Sequence, residues 1–316
     1  MSKFYTWPNP AFPFRLYFNG PNCRVFLIHN LSHNYEWLKQ VKDKIKPSDY
    51  FFVTLAWALD PHLASQAIKM FNELELNLSQ FFVMYNDLEE KINGTRAGLR
   101  GDIINHNAFL DENLFYIEKL TKKYDALYIA RRSEIKRHYL ASRLDNLALV
   151  AGGQNHKNKI CPIPPSVNDP SEPLDSAGIR KIINQSRVGL CLSEKEGACW
   201  SSGEYLLCGT PVVSTHSQGG RSAFYTPHNS VISADDPESI RLAVKAVIDK
   251  NLQPQQIRKD HIEKQTYFRN LFKQELYQVL RRHNTPINVD EYFSHSFFNK
   301  MYKSQNIETV IRSFND

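Results

Sequence analysis

Two glutamates in one short stretch are the first residues of this sequence that could carry a reaction. Residues 186–221 read SRVGLCLSEKEGACWSSGEYLLCGTPVVSTHSQGGR, with seven residues between Glu196 and Glu204. A carboxylate can bind hydroxyl groups or stabilise positive charge developing beside it. A second set is basic: Lys122, Lys123, Arg131, Arg132, Lys136, Arg137 and Arg143 stand against Asp125 and Glu134. A polyanionic ligand is the natural partner for such a stretch. A third set, His29, Asn86, Asp87, Asn105, His106 and Asn107, falls where apolar runs of the first half end. His106, between two asparagines, is as readily functional as structural, and His29 and His33 are weighed on the same argument. Gly219-Gly220-Arg221 is either a tight turn or a close backbone approach to an anion.

These residues need a scaffold, and the apolar pattern supplies one. Val188–Leu192 reads as a short buried strand ending in the polar loop 193–197. A helix follows, with Ser201-Ser202 near its start and Glu204–Cys208 inside it. Gly209 and Pro211 stop it, and Val212–Ser214 opens another strand. Earlier strands are expected at 24–28, 50–55, 80–85, 103–104, 126–130 and 146–151, the last closed by Gly152-Gly153. Helices are expected after 34, from Asp60, at 112–124, up to 185 and from Asp235-Asp236 to 250. The first twenty residues, rich in proline and aromatics, read as an irregular arm on the first sheet. Residues 154–176 read as an extended proline-rich loop, and 254–316 as mainly helical with a break at 284–288. Alternating strands and helices indicate a parallel, doubly wound α/β architecture, whose ligands bind at the C-terminal edge of the strands.

The framed block Ser193, Glu196, Gly197, Glu204, Gly209, Pro211, Val212 and Val213 resembles the E-x7-E region of retaining glycosyltransferases with the GT-B fold, the large family-four group. Arg131 and Lys136 have the spacing of that family's arginine and lysine, which bind the donor diphosphate. Ala130 stands where the family has glycine and Arg132 where it has leucine, which leaves open whether Arg131 or Arg132 reaches the phosphates. The resemblance implies two Rossmann-like doubly wound parallel-sheet domains facing a cleft. Residues 1–124 would form the acceptor domain and 125–250 the nucleotide-sugar donor domain. Residues 251–316 would be helices crossing back onto the first domain. It further implies retaining, metal-independent transfer from a nucleoside-diphosphate sugar to an acceptor hydroxyl, in surface glycan or polysaccharide synthesis. Glu196 would act at the sugar together with a histidine of the first half; the resemblance does not fix which one, and His106 is the candidate taken as catalytic. Arg131, Lys136, Glu204, Gly197, Ser201 and Ser202 would bind the donor. His29, Asn105, Asn107 and Arg221 would meet acceptor or sugar. No cofactor or metal is expected, and the acceptor would be a glycan or a lipid-linked molecule. A sugar-nucleotide epimerase, a phosphorylase-like enzyme and a non-catalytic nucleotide or carbohydrate-binding module stay open as alternatives; no motif for a phosphorylase's pyridoxal-bearing lysine is present.

Composition narrows the class without choosing the reaction. The 316 residues are 42% hydrophobic and 23% charged, ordinary for a globular chain. The +6 charge is spread thinly, which argues against a nucleic-acid module. Five cysteines without a CxxC pair read as free thiols in a reducing compartment. The N-terminus lacks the apolar core of a signal peptide, and no run approaches the ~20 apolar residues of a membrane span. The expected location is cytoplasmic, with peripheral contact at the inner membrane face left open, as is the oligomeric state.

Overall fold

A computed structural model describes residues 14–55, 58–151, 166–169, 174–301 and 305–315. Gly152-Gly153, Cys161, most of the proline-rich loop and the side chain of His33 lie outside the described residues. The chain divides into two compact units, residues 1–109 with 267–316, and residues 110–266.

The first unit is a five-stranded sheet of β1 (Phe14–Asn19), β2 (Arg24–Ile28), β3 (Asp49–Val53), β4 (Phe81–Tyr85) and β5 (Gly101–Ile103), side by side in that order. β2 to β5 are parallel and β1 runs antiparallel along β2. The expected irregular arm is therefore partly wrong: its last part is an edge strand. It pairs with β2 as a hairpin, and distant residues cover the pair: Leu16 N donates to Gln305 Oε1 (2.9 Å) and the Phe314 ring stacks on Phe26 at 4.5 Å.

One face of this sheet buries Phe26, Phe51, Phe81 and Tyr85 against Trp37 and Leu38 of α1 (Tyr35–Val41), and Ala64 and Phe71 of α2 (Pro61–Glu73). α3 (Leu88–Arg96) packs there too, with Gly94 set against the Tyr85 ring. Asp60 and Asp87 cap α2 and α3 by accepting from Leu63 N and Glu90 N. On the other face Phe52 meets Phe272 at 4.6 Å.

In the second unit β6 (Tyr124–Ile129), β7 (Leu147–Val150), β8 (Ser186–Cys191), β9 (Val212–Thr215) and β10 (Ser230–Ser233) form an all-parallel sheet in the order β10-β9-β8-β6-β7. The chain leaves β6 toward β7 on one side and leaves β8 toward β9 on the other. The carboxyl ends of β6 and β8 therefore form a topological switch point. α4 (Ser176–Asn184), capped by Asp175, leads into β8, and α5 (Trp200–Leu207) joins β8 to β9. α6 (Pro237–Asp249) follows β10, and Asp236 caps it by accepting from Ser239 N. α7 (Pro254–Arg282) begins in this unit and ends in the first, where α8 (Val289–Ser296) and α9 (Ile307–Arg312) follow. No helix among the described residues is long and apolar enough to cross a membrane.

The expected helix at 112–124 does not form. Its backbone groups are claimed by side chains of other elements: Arg258 donates to Glu112 O and Phe115 O, and Arg180 to Leu114 O. Asn184 bonds Glu118 N and Tyr116 O. Once these tertiary partners satisfy the chain, helical pairing offers little more.

Gly189 lets α5 approach β8 closely. The Tyr205 ring fills the space of the missing side chain, and its hydroxyl accepts from Ile129 N (2.9 Å) near the end of β6. A Cβ on Gly189 would lie 2.2 Å from that ring. Gly189→Ala is expected to destabilise the chain by about 1–3 kcal/mol, the usual cost of overpacking. Urea unfolding reads this as a lower midpoint, and an unchanged midpoint would contradict the packing described.

Candidate active site

At the switch point, the chain leaving β6 carries Arg131 and Lys136, and the chain leaving β8 carries Ser193, Glu196 and Gly197. Lys136 Nζ forms an ion pair with Glu196 Oε1, which also accepts from Ser193 Oγ at 2.9 Å. The two side chains are only 17% and 12% exposed, so each charge depends on its partner. Burial pushes the Lys136 ammonium below its usual range, and the charges of Arg131 and Arg221 add to that shift. The Tyr128 hydroxyl donates to Lys136 O and anchors the backbone under the lysine.

The Glu196 backbone is held as tightly as its carboxylate. Glu196 N donates to Gln218 O and Gln218 N to Glu194 O, both at 3.0 Å, so the loops after β8 and β9 continue the sheet by one parallel bridge. Between the strand ends and that bridge, two guanidinium groups take backbone carbonyls. Arg221, 1% exposed, donates to Ser193 O and Thr215 O at 2.7 Å each. Arg137 donates to Leu192 O and Thr215 Oγ1, both at 2.7 Å, and to Asp235 at 2.6 Å. Arg137 adopts φ 45°, which turns the chain sharply after Lys136.

α5 opens at the same edge. Cys199, at φ 55°, precedes its first residue. Ser202 is buried, its hydroxyl donating to Tyr225 at 3.0 Å, while Ser201 is partly exposed. Glu204 is buried further along α5 at 6% exposure. Its charge helps raise the Cys208 thiol, which burial chiefly pushes up to about 12.

The polar residues expected in the first half also gather at one strand edge, in the first unit, as a hydrogen-bonded network around His106, with Asp87 capping α3. His29 and His106 meet edge to face with centroids 5.7 Å apart. His29 Nδ1 lies 3.4 Å from the Thr54 hydroxyl. Asn105 donates to Asn86 O (3.0 Å), Asn107 N to Asn105 Oδ1 (3.0 Å) and His106 N to Asn86 Oδ1 (3.2 Å). His106 Nε2 lies 3.2 Å from Met84 O; a carbonyl accepts only, so Nε2 carries the proton and Nδ1 is the acceptor. Burial pushes His106 down to about 4, partly offset by that hydrogen bond, so the ring is neutral at pH 7.

Of the residues singled out in the sequence, Lys136 and Glu196 make direct contact, with Arg221 one residue away through Ser193. Arg131 is exposed beside them. Arg221 is a buried brace and not an open contact. Most of the basic stretch is structural: Lys122 donates to Ser186 O, Arg132 to Ser166, and Arg143 pairs with Glu238. Sequence reasoning missed the bracing by Arg137 and the anchoring by Tyr128, Ser193 and Gln218. Only the position of Ser193 in the glutamate block hinted at its role.

No protein-family model and no curated protein matches the sequence. Solved structures do match in fold. HepE of Anabaena, in complex with UDP, superposes with a TM-score of 0.55 at 13% identity, over 80% of this chain and 78% of that one. The sucrose-phosphate synthase of Thermosynechococcus elongatus gives 0.54 at 13% identity, over 81% and 74%. The UDP-forming trehalose-phosphate synthase of Burkholderia xenovorans, in complex with glucose-6-phosphate, gives 0.55 at 10% identity, over 80% and 74%. The chain has the GT-B fold of these proteins.

Glu90 underlies the network around His106, accepting from Asn86 N (2.7 Å) and Leu59 N (3.4 Å). Burial raises its carboxyl from 4.5 to about 7, against the lowering effect of the Asn86 bond. Between those values the folded chain holds a proton that the unfolded chain has lost. The contribution is therefore complete below pH 4.5 and disappears as pH rises through 7. Stability of the parent minus that of Glu90→Gln should fall across this window, by on the order of 3 kcal/mol. Urea titrations at pH 4.5 and 7.5 measure it, and a difference independent of pH would contradict the assignment.

Proposed function

We propose that this chain is a retaining, metal-independent glycosyltransferase that moves a sugar from a nucleoside-diphosphate sugar to an acceptor hydroxyl, in glycan or polysaccharide synthesis. The observation that carries the reading is the Lys136–Glu196 pair at the β6/β8 switch point of the second sheet, in a GT-B fold. UDP in the HepE complex and the UDP-forming reaction named for the Burkholderia enzyme favour a nucleoside diphosphate as the leaving group.

As the anomeric carbon–oxygen bond breaks, negative charge builds on the departing diphosphate. Arg131 and Lys136 neutralise it in this reading, together with the dipole at the start of α5 beside Gly197, Ser201 and Ser202. Lys136 must then exchange the Glu196 carboxylate for phosphate oxygens. That exchange releases Glu196 to face the positive, oxocarbenium-like sugar, which a carboxylate stabilises electrostatically. Glu204 binds the ribose hydroxyls. Neutral His106 offers Nδ1 as an acceptor for a sugar hydroxyl, with His29, Asn105 and Asn107 as neighbouring polar contacts. The donor is the expected small-molecule partner, and a glycan or lipid-linked molecule the expected acceptor.

Incubation with a panel of nucleotide-sugars and glycan acceptors tests this. Acceptor-dependent release of nucleoside diphosphate is expected. Conversion to a new nucleotide-sugar indicates an epimerase, and tight binding without turnover a non-catalytic module. Glu204→Ala should raise the donor KM, whereas Glu196→Ala should chiefly lower kcat. Parent-like kinetics in both variants would misplace the site.

A further inference from the structure

Two thiols bracket the loop that carries Glu196. Cys191 ends β8 and Cys199 precedes α5, with Ser193, Glu196 and Gly197 between them. Their sulfurs are 3.9 Å apart, with the Cys199 S–H directed at Cys191 Sγ. Neither forms a disulfide, and Cys199 is the more accessible of the two. Cys199 is held in the left-handed region at φ 55°, a conformation a non-glycine residue adopts only when its surroundings impose it. A disulfide needs an S–S distance of about 2.05 Å, so closing this pair takes a displacement of roughly 2 Å.

We propose that Cys191 and Cys199 are a redox modification site: a peroxide or a small-molecule disulfide joins them reversibly across the Glu196 loop and switches donor binding off. The second clause rests on the function proposed above. With a peroxide, the Cys191 thiolate takes the proton that the Cys199 thiol directs at it, and the Cys199 thiolate so formed attacks one peroxide oxygen. The O–O bond breaks, hydroxide leaves and Cys199 becomes a sulfenic acid. Cys191 sulfur then attacks Cys199 sulfur, the S–S bond forms, the S–O bond breaks and water leaves with the thiol proton. The two sulfurs lose two electrons, which reduce the peroxide. With a disulfide reagent, Cys199 forms the mixed disulfide and Cys191 displaces the reagent's second thiol.

The surroundings favour this pair over the other cysteines. Burial pushes the Cys191 thiol up, but the Cys199 hydrogen bond, the Arg221 charge, the Tyr225 hydroxyl and Lys136 outweigh it and bring it to about 7. Cys199, as the donor, moves up. Cys208 is buried and pushed to about 12, and Cys23 is buried and raised as well. Closing the bond draws the start of α5 toward β8. Glu196 is tied to Ser193, Lys136 and Gln218 in the geometry of the open thiols, so the loop has to give where the diphosphate is expected.

The test uses the full chain, oxidised with hydrogen peroxide or oxidised glutathione, alkylated and digested with trypsin without reductant. Cleavage after Lys195 puts Cys191 in peptide 188–195 and Cys199 in peptide 196–221. The expected result is a joined pair of peptides, two hydrogens lighter, that separates in dithiothreitol. Affinity for UDP, read by calorimetry, should fall by about tenfold or more and recover on reduction, the scale of loss a misplacement of about 1 Å can cause. Because peptide 196–221 also holds Cys208, Cys199→Ser must abolish the joined species, and it should keep its UDP affinity under oxidant. Alkylation of both thiols after oxidation, or joined peptides with unchanged UDP affinity, overturns the proposal. Joined peptides in a chain that binds none of UDP, ADP, GDP and TDP even when reduced uphold the disulfide and overturn the donor reading instead.

Discussion

Lys136 and Glu196 need one another. Each is mostly withdrawn from water, and a buried charge without a partner is costly, so either can give up the other only for a replacement of the same sign. The pair also joins the two chain segments that leave adjacent strands in opposite directions. The pair sits at the carboxyl ends of a parallel sheet, and the polar groups around it hold both side chains in place.

That holding is done by cations that are not themselves available to a ligand. Arg221 and Arg137 take backbone carbonyls between the ends of β8 and β9 and the bridge at Gln218. Planar guanidinium groups suit this work, because one group can satisfy several oxygens in fixed directions. The first unit ties its strand ends with side chains as well. Its Asn86, Asn105 and His106 network rests on a single buried carboxyl, Glu90.

The strands and the glutamate block were legible because their signals are local. Val188–Leu192 is apolar, Gly209 takes φ 69° after α5, and Asp60 and Asp236 cap helices from within the same few residues. The differences have separate reasons. Phe14–Asn19 is a strand because it pairs back on Arg24–Ile28 across a short turn, which its proline- and aromatic-rich surroundings hid, and 112–123 stays irregular because Arg180, Asn184 and Arg258 take its backbone. Within the candidate site, residue types singled out Lys136 and Glu196, which form an ion pair. They could not reveal that Arg221 would be buried as a brace, since an arginine after two glycines reads the same whether it faces a ligand or two carbonyls.

The proposed exchange of carboxylate for diphosphate at Lys136 is open to direct measurement. Calorimetric titration with UDP, ADP, GDP and TDP, each against its nucleoside, reads the share of affinity that the diphosphate supplies. One diphosphate should bind far more tightly than its nucleoside, and Lys136→Ala should erase that preference. Nucleosides binding as well as every diphosphate, or a preference that survives loss of the lysine, would contradict the account.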